Sequence, residues 1–179
     1  EGSNSTISDC VFRSNVSTAA GGGAAVRPLF TGAVVRIERC RFVGNQSLES
    51  SGAGLLAGGS GFPELTIAII DCHFEANDGD RNGGLVIGAV LGEVSGCTFL
   101  ENTARTSAGG LRIYSDVQDL AIRDNHFAGN ATDATGGAID TTNMRNATGL
   151  EITANTFEAN SADVGGAVGG LAGSTVTVA

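Results

Sequence analysis

The 179-residue sequence contains no lysine, no tryptophan, one tyrosine and two prolines. Every basic residue is therefore an arginine, and ten of them against 19 Asp and Glu leave a formal net charge of −9. An acidic chain repels phosphate backbones, so we expect no nucleic-acid partner. No apolar run approaches the roughly 20 residues of a membrane span, so no transmembrane segment is predicted. No charged and then apolar leader is recognisable, and we therefore expect a mature or excised segment.

Glycine is abundant instead, with 28 copies, while 41% of the residues are hydrophobic. The apolar content is too high for a disordered glycine-rich tail, and the length suffices for one domain with a core. This composition indicates a chain that turns often and packs backbone against backbone.

A short motif, F-x-x-N, recurs six times at intervals of 25 to 32 residues. Its copies are CVFRSN (10–15), CRFVGN (40–45), CHFEAN (72–77), CTFLEN (97–102), NHFAGN (125–130) and NTFEAN (155–160). After each copy comes a pair of small residues with an apolar run, as in GGLVI (83–87) and GGLRI (109–113). Before each copy lies an Ile or Val in an alternating apolar pattern that is typical of a strand.

Each repeat therefore predicts three short strands, and six such repeats predict an all-β parallel solenoid of about six coils, treated as one domain over residues 1–179. An α-solenoid would require a 3.6-residue period and few glycines. A propeller blade would require about 40 residues or more.

The paired F-x-x-N and G-G-A-[ILV] motifs resemble the repeats of the chlamydial polymorphic outer-membrane proteins over nearly the whole chain. This resemblance implies a right-handed parallel β-helix with a surface-exposed adhesive or structural role.

Equivalent residues of successive coils are expected to stack into interior columns about 4.8 Å apart. The aromatic column would comprise Phe12, Phe42, Phe74, Phe99, Phe127 and Phe157. The asparagines of the motif would end a strand and form a side-chain ladder of Asn15, Asn45, Asn77, Asn102, Asn130 and Asn160.

Four cysteines, Cys10, Cys40, Cys72 and Cys97, share one repeat position, which Asn125 and Asn155 take in the last two coils. A straight column of thiols cannot surround zinc tetrahedrally. Two alternatives stay open: disulfides Cys10–Cys40 and Cys72–Cys97, or a stack of buried free thiols.

Five N-x-[ST] sequons suggest a secreted glycoprotein. Asn4 and Asn146 lie outside the repeat motif and are the first candidates for glycans. Asn15, Asn45 and Asn130 are also sequons, but a glycan there requires an outward-facing corner.

Asp78, Asp80 and Asn82 with Gly83 spell the opening of a calcium loop, D-x-D-x-N-G. The twelfth position, which should be a bidentate Glu, is Ala89. We favour an acidic, solvated corner without any cofactor and keep Ca²⁺ as the alternative. His73 and His126 are interpreted as outward-facing surface residues.

For function, we favour a non-enzymatic extracellular rod or filament subunit with an adhesive potential. The alternatives are a carbohydrate-active β-helix enzyme or a glycan-binding module. The densest carboxylates, Asp116, Asp119, Asp124, Asp133 and Asp140, are spread over different corners, and Tyr114 has only Arg112 and Asp116 beside it. Exposed aromatics for glycan binding are restricted to Phe30, Phe62 and Tyr114.

The run STVTV near the end of the chain matches STIS near its start and would begin a seventh coil. Uncapped sheet edges pair with other edges. The expected partner is therefore a second copy stacked end to end or a continuation of the same solenoid, with surface glycans or cell-surface molecules as further partners.

Overall fold

The structure, a computed structural model, describes residues 4–27, 32–58, 65–88, 91–114, 117–142, 144, 148–170 and 176–178. These residues form β-strands joined by short turns. Within the described ranges, no helix is long and apolar enough to cross a membrane.

The strands follow one another in coils of four. Coil 1 holds β1 (Asn4–Ser8), β2 (Val11–Arg13), β3 (Val16–Ser17) and β4 (Ala24–Val26), and coil 2 holds β5 (Val34–Glu38), β6 (Arg41–Val43), β7 (Gln46–Ser47) and β8 (Leu55–Gly58). Coil 3 holds β9 (Thr66–Ile70), β10 (His73–Glu75), β11 (Asp78–Gly79) and β12 (Leu85–Gly88), and coil 4 holds β13 (Leu91–Ser95), β14 (Thr98–Leu100), β15 (Thr103–Ala104) and β16 (Leu111–Ile113). Coil 5 holds β17 (Asp119–Arg123), β18 (His126–Ala128), β19 (Ala131–Thr132) and β20 (Ile139–Asp140), and coil 6 holds β21 (Leu150–Thr153), β22 (Thr156–Glu158) and β23 (Val168–Gly169), before β24 (Val176–Val178).

Equivalent strands of successive coils pair in parallel and build four sheets along the axis, which we call sheets 1 to 4 in the order of the strands within a coil. The pairing is in register throughout, so that Phe12 faces Phe42 and Leu55 faces Leu85. In sheet 3 the sixth coil contributes only an isolated bridge from Ala131 to Ser161.

Two sharp corners separate sheet 1 from sheet 2 and sheet 2 from sheet 3. Each corner places one residue in the left-handed region, with φ between 50° and 64°. The first corner uses Asp9, Arg39, Asp71, Gly96, Asp124 and Ala154, and the second uses Ser14, Gly44, Ala76, Glu101, Gly129 and Ala159. The residue after each of these positions begins the next inward column, so the corners determine which side chains face the core.

The core is a set of apolar columns inside the solenoid. Alternating burial along β9 shows Ile67 and Ile69 pointing inward, and Leu55, Leu85 and Leu111 occupy one column of sheet 4 with no exposed surface. The six phenylalanine rings stack with centroids 4.5 to 5.3 Å apart and planes within 10° of parallel. Such stacking contributes about 0.5–1.5 kcal/mol per pair beyond burial.

The predicted all-β parallel solenoid is thereby confirmed. The prediction of three strands per coil is wrong in one respect, because a fourth strand of two residues follows each F-x-x-N motif in coils 1 to 5. Two residues are too short for an alternation pattern to reveal. The predicted strand near the C-terminus is present at Val176–Val178 and pairs with β21, whereas Thr175, Phe30 and Phe62 lie outside the described residues.

Candidate functional site

The asparagines of the motif form one continuous hydrogen-bonded ladder along the axis. Nδ2 of Asn45 donates to Oδ1 of Asn77 at 2.9 Å and to the carbonyl of Phe12 at 2.9 Å, and the backbone N–H of Asn45 donates to the same Oδ1 at 3.0 Å. The pattern repeats at Asn77, Asn102 and Asn130. Both amide hydrogens and the amide oxygen of each inner asparagine are thus used, which satisfies a polar group at zero exposure.

The ladder bears directly on the sequons. Asn45 and Asn130 have no exposed surface, and a glycan on Nδ2 would displace one of these hydrogen bonds. Asn15 begins the ladder in the exposed first coil and donates Nδ2 to Asn45 Oδ1 at 3.0 Å. The fold therefore disfavours glycans at these three positions. Asn4 is exposed, and Asn146 lies outside the described residues.

A second ladder runs at the first corner and mixes cysteine with asparagine. Nδ2 of Asn125 donates to Oδ1 of Asn155 and to the carbonyl of Val94, both at 2.9 Å. The backbone N–H of Cys97 donates to Oδ1 of Asn125, and that of Cys72 donates to Sγ of Cys97 at 3.3 Å. A cysteine therefore takes the place that an asparagine takes in the later coils.

All four cysteines are free thiols in this structure. Burial raises the pKa of the Cys40 thiol, and the hydrogen bond with Cys72 together with burial raises the pKa of Cys97 well above its ordinary value. The side chains lie parallel in register, so adjacent Cβ atoms are separated by the strand spacing of about 4.8 Å, beyond the roughly 3.5–4.5 Å of a disulfide. Disulfides Cys10–Cys40 and Cys72–Cys97 stay a prediction that requires the column to shift.

The three residues of the calcium-loop motif are divided between the surface and the core. Asp78 accepts a hydrogen bond from Thr103 Oγ1 at 2.8 Å, and Asp80 forms an ion pair with Arg105. Asn82 is fully buried, donates Nδ2 to the carbonyl of Ala108 at 2.9 Å, and has no partner for Oδ1 within the described chain. Among the described residues no three His, Cys, Asp or Glu side chains converge on one point.

Asp78 and Asp80 do line an open groove of about 330 Å³ on the outside of sheet 3. Thr103, Arg105 and Asp133 come from the next two coils to complete its polar lining, beside Leu48. The groove runs across coils because these residues occupy equivalent positions after the second corner.

The two histidines lie on sheet 2, next to carboxylates, whereas the groove lies on sheet 3. His73 Nε2 lies 2.9 Å from Glu75 Oε2, and His126 Nε2 lies 3.4 Å from Glu158 Oε2. The hydrogen bond from His73 lowers the pKa of Glu75. These contacts are partly exposed and contribute little to stability.

Sequence reasoning missed a buried ion pair on the outside of sheet 4. Asp140 is 2% exposed and lies 3.8 Å from Nε of Arg112, which has no hydrogen-bond partner among the described residues. Ser107 Oγ donates to Asp140 at 2.6 Å, and Thr142 donates its backbone N–H at 2.9 Å. Burial lowers the pKa of Arg112 and raises that of the nearby Tyr114.

One signal in the sequence pointed to this pair. Arg112 in GGLRI and Asp140 in GGAID interrupt the apolar runs that follow the Gly-Gly pairs, at outward positions on adjacent strands. Their burial could not be read from alternation, which predicts solvent on the outer face. Asp119 and Asp124 lie on or beside β17, away from this pair, and Asp116 is outside the described residues.

A family model described as a right handed beta helix region matches residues 1–178. The chain belongs to this family. No curated protein and no solved structure matches. The family supports the β-helix repeat and its hand, while the likeness to the chlamydial surface proteins stays a resemblance.

Proposed function

We propose that this protein is a non-enzymatic structural β-solenoid, a secreted surface rod or filament segment that extends along its own axis. The observation that carries the proposal is the unbroken run of the phenylalanine stack and the asparagine ladder through six coils. The polar side chains repeated inside the solenoid bond to the coil above and below. Their hydrogen-bonding groups are therefore used to hold neighbouring coils together.

The two ends of the ladder are complementary. Within the described chain, Asn160 uses Nδ2 for the carbonyl of Phe127 at 2.9 Å and leaves its other amide hydrogen free, and Asn15 Oδ1 accepts no hydrogen bond. Phe12 and Phe157, which end the aromatic stack, are only half-buried. A further coil placed on either end, from the same chain or from a second copy, would complete both columns.

Stacking can be tested with a substitution at the open edge of sheet 3. In β3 the carbonyls of Asn15 and Ser17 accept hydrogen bonds from coil 2, so the N–H of Val16 faces away from the solenoid. Val16→Pro removes that outward donor and no hydrogen bond between β3 and coil 2, whereas Val16→Thr retains the donor as a matched control. We expect wild type and Val16→Thr to form elongated species with rising concentration in sedimentation and negative-stain images, and Val16→Pro to remain monomeric.

Two results would overturn end-to-end stacking: a wild-type protein that stays monomeric up to millimolar concentration, or Val16→Pro that assembles as well as wild type. Circular dichroism of the variant establishes that its monomer is folded.

Secretion is supported by the sequons and tested by expression through a eukaryotic secretory pathway. We expect a glycan on exposed Asn4 and none on Asn45 or Asn130 of the folded, exported protein. Peptide mass spectrometry that finds Asn45 fully glycosylated in folded material would contradict the inward ladder.

A second candidate function is supported by the groove of Asp78, Asp80, Thr103, Arg105 and Asp133. Carboxylates and a guanidinium in an open groove can hydrogen-bond sugar hydroxyls, so a glycan-binding or carbohydrate-active role is the alternative. A glycan array and reducing-sugar assay distinguish the classes. Signals that disappear in Asp80→Asn but persist in Glu158→Gln, on a different sheet, would favour this alternative over a purely structural role.

A further inference from the structure

The four cysteine thiols have similar hydrogen-bonding environments in their four coils. Each Sγ donates to the carbonyl two residues before it, at 3.1 to 3.4 Å. In the inner three coils each Sγ also lies 3.5 to 3.7 Å from the carbonyl of an isoleucine in the preceding coil. The sulfur atoms therefore hold the same position in every coil, and successive sulfurs are separated by the coil spacing.

The pairing of the strands sets the coil spacing, and the distances between successive phenylalanine rings in the same coils give its value. Ring centroids in the same four coils are 4.8, 4.9 and 4.8 Å apart. A metal–thiolate bond is about 2.3 Å for zinc, so two collinear bonds of that length span about 4.6 Å. Adjacent sulfurs are thus too far apart for an S–S bond and at the right separation to hold one ion between them.

We propose that Cys10 and Cys40 bind one soft metal ion, such as Cu(I), in linear two-coordinate geometry between their sulfur atoms. Thiolate ligands select soft ions of this class. On binding, both thiols lose their protons to solvent and two metal–sulfur bonds form. No electron is transferred, because copper enters and remains as Cu(I).

The Cys10–Cys40 pair is favoured in the unstacked chain, because one of its two thiols is exposed there. Cys10 is exposed, while Cys40 beneath it has no exposed surface, so an ion can enter from solvent and be held against a dry interior. The inner pair is less available. Cys97 already accepts a hydrogen bond from the backbone of Cys72, and both residues are buried.

Zinc is not the expected ion. A structural zinc site needs about four ligands in a tetrahedron, and among the described residues no group of three or more His, Cys, Asp or Glu is arranged to hold a metal ion. Arg39, beside Cys40, is engaged by Asp9 through two hydrogen bonds of 2.8 and 2.9 Å, so this carboxylate is already occupied.

The chain itself supplies the control substitution. Asn125 and Asn155 occupy the same column and form its ladder bonds, so cysteine to asparagine is compatible with the fold. The test variant is Cys10→Asn with Cys40→Asn, and the matched control is Cys72→Asn with Cys97→Asn. Thermal melting of both variants checks that the solenoid is retained.

The experiment titrates the reduced, metal-free protein with Cu(I) under anaerobic conditions against a chromophoric Cu(I) chelator. With no tryptophan and one tyrosine, the protein leaves the ultraviolet region clear for thiolate-to-copper charge transfer. We expect the first equivalent to bind to wild type and to the control, and to be lost in Cys10→Asn/Cys40→Asn. X-ray absorption should show two sulfur ligands.

Several results would overturn the proposal. The first is that wild type does not compete with the chelator for Cu(I). The second is that Cys10→Asn/Cys40→Asn still binds the first equivalent of Cu(I). The third is a coordination shell of three or more sulfurs. Spontaneous formation of a Cys10–Cys40 disulfide in the metal-free protein, seen as the loss of two hydrogens by mass spectrometry, would show that the spacing argument is wrong.

Discussion

The buried side chain of Asn77 forms four hydrogen bonds, and its removal should weaken the contacts among coils 2, 3 and 4. Asn77→Ala removes the acceptor for Asn45 and the donor to the Phe42 carbonyl and to Asn102. Each buried polar group left unsatisfied costs about 1–3 kcal/mol, so we expect a loss of about 3–5 kcal/mol in the free energy of unfolding.

Urea denaturation measures this change, and Asn15→Ala is the control. Asn15 is exposed at the start of the ladder, so its replacement should cost less than about 1 kcal/mol. Equal losses at the two positions would mean that the ladder contributes no cooperative stability.

The left-handed corners allow a stabilising substitution. Ala76 has φ of 50°, whereas Gly44 occupies the same corner of the preceding coil. A left-handed L-residue costs about 1–2 kcal/mol, and the extra freedom of glycine in the unfolded chain offsets about 0.4–1 kcal/mol. We expect Ala76→Gly to raise the free energy of unfolding by about 0.5 kcal/mol and Gly44→Ala to lower it, as measured by urea denaturation.

Gly44→Ala tests the strain argument without a steric clash, because a Cβ on Gly44 would meet only Ser14 Oγ, at 3.9 Å. The added Cβ therefore meets no steric obstacle, and the balance between backbone strain and the unfolded-state entropy of glycine decides the sign. A stabilising Gly44→Ala would contradict the strain argument.

The buried thiol of Cys97 should make the fold sensitive to alkali. The pKa of Cys97 is raised above its ordinary value of 9.0 in the folded protein, so the unfolded chain releases this proton at lower pH. The associated stability is present below pH 9 and is lost as pH rises towards the folded pKa. Melting temperatures measured from pH 7 to 11 should fall less steeply for Cys97→Asn than for wild type, and identical slopes would contradict this assignment.

At the scale of the element, small residues in sheet 4 permit the coils to approach. A Cβ on Gly84 would lie 2.5 Å from the carbonyl oxygen of Gly110 and 3.3 Å from the Phe99 ring. Ala138 fills the same repeat position in coil 5. We expect Gly84→Val to destabilise the protein by about 1–3 kcal/mol through overpacking and Gly84→Ala by less, as measured by urea denaturation. Equal effects would mean that the column has room for branched side chains.

The elements differ in how well the sequence predicts them. Strands of sheets 1, 2 and 4 follow from alternation and from the motif, because a parallel stack repeats the same inward residue at each coil. The two-residue strands of sheet 3, such as Gln46–Ser47, are held only by pairing with neighbouring coils and leave no local pattern. Contacts across coils explain the remaining misses, since the Arg112–Asp140 pair depends on burial of an outer face that alternation treats as solvent.

At the scale of the whole molecule, the net charge of −9 opposes contact between copies. Screening shortens the reach of this repulsion from about 10 Å at 0.1 M salt to about 3 Å at 1 M. If copies stack, sedimentation should show longer assemblies as NaCl rises through this range, while sucrose at matched osmolarity should have less effect. Weaker assembly in salt would indicate attraction between opposite charges at the contact.

The repeats differ in length, and the difference is concentrated at one edge of the solenoid. The corners between sheets 1 and 2 always take two residues, whereas the connection from sheet 4 to sheet 1 takes two residues at 89–90 and nine at 141–149. Doubling a loop costs only about 0.6 kcal/mol in closure entropy. Insertions and deletions are therefore tolerated in the connection from sheet 4 to sheet 1, and a whole coil can be duplicated. The spacing between coils stays constant in either case, because the strands set it.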